Sequence, residues 1–155
     1  MELRFFKTLW GHTSDFESAV NRAIRAGFQG IEGPAPGDAS IASDQQKLLD
    51  DEGLGYIAEI TTAGTYVPHR HAGLEDHLES LRRKLDQSLE MKPEFITCLG
   101  GCDAWPEGQS LEFFSRAIEL ANDRNITISF ETHRSRSFFN PWVTQRIVEQ
   151  LPECL

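Results

Sequence analysis

Residues 126–136, ITISFETHRSR, read as a β-strand that runs into a row of chemically active side chains. Strand side chains alternate between faces, so Ile126, Ile128 and Phe130 point one way and Thr127, Ser129, Glu131 and His133 the other. The first face is apolar enough to pack on helices. The second carries a carboxylate and an imidazole two residues apart, close to the strand's end. A carboxylate buried there costs free energy unless a metal, a substrate or a hydrogen bond compensates it.

Upstream, the chain repeats strand and helix. LRFFKTLWG (3–11) is the first strand, followed by a helix with Ser14 and Glu17 in capping-box spacing, an apolar series Phe16, Ala19, Val20, Ala23 and Ile24, and Gly27 as its stop. FQGIEG (28–33) is the second strand, and a helix near 43–52 takes Ser43 as its N-cap and ends at Gly53. LGYIAEITTAG (54–64) is the third. A loop with His69 and His71 leads to a helix striped by Leu74, Leu78, Leu81, Leu85 and Leu89, which leaves His77 on the exposed side. PEFITCLGG (93–101) is the fourth strand, and Ser110 opens a helix burying Leu111, Phe114, Ala117, Ile118 and Ala121. After the fifth strand, Asn140 and Pro141 form an N-cap and N1 pair for a helix through Ile147, Val148 and Leu151.

Strict β-α alternation without hairpin signals implies a parallel sheet with right-handed crossovers. It closes either as an open doubly wound sheet or as part of a (β/α)8 barrel. The first loop lacks a GxGxxG phosphate cradle. Polar residues recur instead at strand C-termini: His12, Glu32, Glu59, Asp103, and Glu131 with His133. That pattern favours a partial TIM barrel of about five βα units with the helices outside. Eight units need about 250 residues, so the chain reads as a single domain over 1–155, truncated before strand six. Pairing with another copy, as a homo-oligomer, or an open sheet are the other ways to manage its edges.

The composition fits one globular domain, with 155 residues, 39% hydrophobic and 25% charged. A net charge of −9 argues against a nucleic-acid partner. No apolar run is long enough to span a bilayer, and MELRFFKTLWGH lacks a signal-peptide layout. With three cysteines, Cys98 and Cys102 among them, reduced thiols and a cytoplasmic location are expected.

KTLWGH, GFQGIEGPAP and above all FETHRSR resemble the xylose-isomerase-like TIM barrels, the sugar phosphate isomerase/epimerase superfamily that also includes endonuclease-IV-type enzymes. The resemblance covers essentially the whole chain and the N-terminal portion of the family's barrel. It implies a metal-dependent isomerase or epimerase of a sugar or sugar phosphate, acting by proton transfer next to a carbonyl. Glu131 takes the place of the family's strand-five metal ligand. The cofactor implied is Mg²⁺, Mn²⁺ or Zn²⁺, which this chain alone does not hold tightly because one ligand does not fix an ion. Other readings are a lyase or dehydratase on the same fold, and a noncatalytic truncated or half-barrel protein.

Catalytic candidates are Glu131, Glu59 and Glu32, acids at matching strand ends. Substrate-binding candidates are His133, Arg134, His12 and Trp10, the last an aromatic stacking face for a sugar-like small molecule. Arg134 and Arg136 suit a carboxylate or phosphate on a substrate. His69 and His71 match a region where endonuclease-IV-type relatives place zinc ligands.

Overall fold

The computed structural model describes residues 3–154. Its elements are β1 (Phe6–Thr8), α1 (Phe16–Ala26), β2 (Gly30–Gly33), α2 (Ala39–Glu52), β3 (Gly55–Thr61), α3 (Leu74–Leu89), β4 (Phe95–Leu99), α4 (Glu107–Asn122), β5 (Ile128–Phe130) and α5 (Pro141–Gln150), with a final 3-10 turn at Pro152–Cys154. The five strands form one sheet in the order β1-β2-β3-β4-β5. The pairings β1 with β2, β2 with β3 and β4 with β5 are parallel. A doubly wound sheet reverses its strand order at a switch point, whereas a barrel adds each strand beside the last. The monotonic order is that of a partial barrel.

The described residues fall into two compact units, one running through Glu59 and including Asp86–Phe95, the other Ile60–Leu85 together with the residues from Ile96 onward. The first packs alanines among larger apolar side chains. Ala19, Val20 and Ala23 of α1, Ala42 and Leu49 of α2, and Ile31, Tyr56 and Ala58 of the strands are buried. A Cβ on Gly30 would lie 2.2 Å from the Phe6 ring, so β2 tolerates no side chain there. Gly27 and Gly53 close α1 and α2 with φ of 77° and 65°, a left-handed conformation glycine adopts without a Cβ clash.

The second unit is built around aromatic rings. Phe114 of α4 stacks on Phe138 with centroids 4.2 Å apart, and meets Phe130 of β5 edge-on at 4.7 Å. Leu78, Leu81 and Leu85 of α3 are fully buried, as their stripe requires, while Leu74 and Leu89 at its ends are half-buried.

Three helix starts differ from expectation, two of them because an aspartate makes the cap bond instead of the serine. Asp15, not Ser14, caps α1, its carboxylate accepting from the Ser18 amide at 2.8 Å. Asp38 caps α2 by accepting from the Ser40 and Ile41 amides, so Ser43 lies inside the helix. α4 begins at Glu107 behind Pro106, and Ser110 is buried within it. Asn140 caps α5 as read, accepting from Val143 at 2.9 Å. The strands are shorter than their apolar runs, and Glu131 follows β5 rather than belonging to it. No described helix is long and apolar enough to cross a membrane.

Candidate functional site

In the first unit, parallel register aligns Thr8, Glu32 and Ile57 in one row across β1, β2 and β3. Paired residues share a sheet face and i, i+2 residues of a strand do too, so Glu32 and Glu59 are displayed on the same face. Both are half-buried, while the alternate positions Ile31, Tyr56 and Ala58 are buried. Two carboxylates thus stand near the carboxyl ends of neighbouring strands. The Tyr56 hydroxyl donates to the Gly33 carbonyl at 2.6 Å, and burial, with the charge of Glu59 added, raises its phenol well above the usual range.

Trp10 and His12 occupy the loop after β1. Trp10 is 70% exposed, and the half-buried His12 donates from Nε2 to the Asp15 carbonyl at 3.1 Å, tying its ring to the start of α1.

In the second unit, Glu131 is exposed just past β5, its amide donating to the Cys98 carbonyl of β4 at 3.0 Å. The carboxylate is therefore not the buried acid that the alternation suggested, because the strand ends one residue before it. His133 is half-buried, and its Nδ1 lies 2.7 Å from the Arg134 carbonyl. A carbonyl only accepts, so Nδ1 carries a proton and Nε2 is the ring nitrogen left for other partners. His133 and Arg134 line an open depression of about 510 Å³ with Phe139, Asn140 and Gln145. His69, Arg70, His71 and Asp76 line another of about 580 Å³.

Two residues depart from their sequence reading. Arg136 is fully buried, not a surface grip for a substrate anion, and its guanidinium bonds main-chain carbonyls. Between it and the exposed Arg134, Ser135 turns the chain with φ 66°. His77 is fully buried rather than on the exposed side of α3, with Nδ1 2.7 Å from Thr62 Oγ1 and its ring 4.7 Å from Trp105 in a T-shaped contact. Sequence reasoning also missed Tyr66, whose ring lies 6.0 Å from that of His133. Its single signal was an aromatic residue in an otherwise small and polar loop.

Cys98, Cys102 and Cys154 are free thiols, and burial pushes Cys98 up to about 12. Among the described residues no group of three or more His, Cys, Asp or Glu could hold a metal ion. Glu131 offers one donor, which does not by itself fit a metal site.

No family model and no curated protein matches the sequence. Solved structures do match its fold. The probable 3-DHS dehydratase AsbF from Bacillus anthracis is similar at 16% identity, over 97% of this chain and 60% of that one, with a TM-score of 0.72. The IOLI protein with a bound zinc atom is 8% identical, over 97% and 59%, with a TM-score of 0.72. D-allulose 3-epimerase from Methylomonas sp. in complex with D-allulose is 17% identical, over 98% and 60%, with a TM-score of 0.71. At such identities the likeness is one of fold: the chain has the architecture of part of these TIM barrels and spans about 60% of the length of these proteins. Neighbours with this fold include sugar isomerases and epimerases as well as a dehydratase.

Proposed function

We propose that this chain forms the first five βα units of a barrel enzyme that isomerises or epimerises a sugar-like substrate by moving a proton next to a carbonyl, in the cytosol. The observation that carries the reading is the loop after β5, where an exposed Glu131 is followed by His133, whose Nδ1 is bonded to the Arg134 carbonyl and whose Nε2 is left for other partners. A carboxylate and an imidazole at the carboxyl end of a parallel strand are the groups such a transfer needs.

In this reading Glu131 and His133 handle the proton at the reacting carbon. Within the first unit, Glu32 and Glu59 are by themselves a pair of acids suited to hydrogen-bonding hydroxyls. Arg134, on the same loop as His133, binds substrate oxygens. Glu131 also matches the expected ligand of a divalent metal, which would polarise the carbonyl. The described residues do not fit a complete metal site, so no step here passes through one.

Loss of water next to a carbonyl begins with the same proton abstraction, and the likeness to a probable 3-DHS dehydratase supports a lyase as the second reading. The test is a product screen on the full protein with ketohexoses and with β-hydroxy ketones, in the presence of Mn²⁺ or Zn²⁺. A new epimer by chromatography supports the first reading, and an absorbing unsaturated ketone the second. Neither product from any substrate would favour a noncatalytic half barrel.

A further inference from the structure

We infer that Arg136 is a positioning residue: its buried guanidinium fixes the loop after β3 against the loop after β5 and thereby sets Tyr66 beside His133. The proposal rests on the reading of His133 as a reacting group only for its functional meaning, since the placement itself is a property of the ligand-free chain.

Arg136 has no exposed surface. Nη1 donates to the Thr62 carbonyl at 2.7 Å and the Gly101 carbonyl at 3.3 Å, Nε donates to the Tyr66 carbonyl at 3.3 Å, and Nη2 to that of Thr65. Burial of the cation lowers its pKa, and the nearby thiols of Cys98 and Cys102 oppose that shift. A guanidinium taken out of water costs several kcal/mol unless its donors are satisfied, so the carbonyls around it are held in place as firmly as it is.

Three of those carbonyls belong to the segment Thr62–Tyr66, where Ala63 takes a φ of 42° and Gly64 one of 143°. Such backbone persists when surrounding bonds over-determine it. The Arg136 amide in turn donates to the His133 carbonyl at 3.2 Å, and the His133 amide to the Phe138 carbonyl at 3.0 Å. One side chain therefore connects the backbone of Tyr66 to the turn that carries His133, and the two rings meet with centroids 6.0 Å apart. Lysine could not replace it, because an ammonium donates from one point while these carbonyls need a planar fork.

The experiment is NMR of the ligand-free protein. In the wild type, Arg136 should show separate, slowly exchanging guanidinium protons, and the Tyr66 and His133 rings a nuclear Overhauser effect. Freely rotating guanidinium protons, or no ring contact, would overturn the proposal without any variant. In Arg136→Lys that ring contact should be lost, and the His133 ring shifts should move to those of Tyr66→Leu. A folded Arg136→Lys protein of lower stability with unchanged His133 shifts would leave Arg136 a purely structural residue and overturn the assignment. Absence of enzymatic turnover bears on the function proposed above and not on this readout.

Discussion

Thr62 Oγ1 and His77 Nδ1 form a 2.7 Å hydrogen bond in the interior, while His77 Nε2 has no hydrogen-bond partner. Trp105 and Phe113 pack edge-on against the imidazole, at 4.7 and 6.1 Å. Burial, and then the positive charge of Arg136, pushes His77 down to about 4, with Asp76 opposing and His69 adding slightly.

This makes His77 an acid-sensitive point of the fold. Above the unfolded value of 6.5 both states are neutral and the shift has no effect on stability. As the pH falls from about 6.5 toward 4 the unfolded chain takes up the proton first, so stability declines across that window. The full loss, reached only below pH 4, is on the order of a few kcal/mol at most, at about 1.4 kcal/mol for each tenfold change in proton affinity. Urea midpoints between pH 7 and 4 should fall less steeply in His77→Gln. An unchanged slope in that variant would assign the acid lability elsewhere.

Packing at the start of the sheet predicts an intolerant glycine. A Cβ at position 30 would meet the Phe6 ring at 2.2 Å and the Gly55 carbonyl at 2.5 Å. Backbone cannot yield as a flexible side-chain tip can, so Gly30→Ala should cost about 1–3 kcal/mol, the usual range for overpacking. Gly108→Ala in α4, with no atom within 4 Å of the new Cβ, is the control and should leave stability unchanged or raise it by up to about 1 kcal/mol.

Metal addition gives a third expectation. A ligand that binds only the folded state stabilises it by RT ln(1 + [L]/Kd). Since the described residues offer no cluster of three donors, Mn²⁺ or Zn²⁺ should leave the Tm of the 155-residue chain equally unaffected in wild type and in Glu131→Ala. A shift in wild type alone would show that Glu131 already belongs to a working metal site in this chain.

The alternation of strands and helices was legible because local rules govern it. Leu78, Leu81 and Leu85 repeat at helical spacing and are buried, and Asn140 with Pro141 marks the start of α5. Cap competition was less legible, since Ser14 and Asp15 are both good N-caps and side-chain geometry chooses between them. The rim was misread where periodicity stops. Arg134 and Arg136 take one role in the sequence as neighbouring arginines, yet the turn at Ser135 leaves one exposed and buries the other. His77 was misread for a different reason: a leucine stripe does not report that Thr62 supplies a buried hydrogen bond beside it.

The most direct test of the proposed chemistry is solvent deuterium wash-in. The full protein is incubated in D2O with a ketose that the product screen identifies, and deuterium at the carbon next to the carbonyl is followed by NMR. The account predicts incorporation by the wild type and a loss of roughly 10²–10⁴-fold in Glu131→Gln, the range expected when a group that moves a proton is removed. Incorporation at the wild-type rate in Glu131→Gln would contradict it.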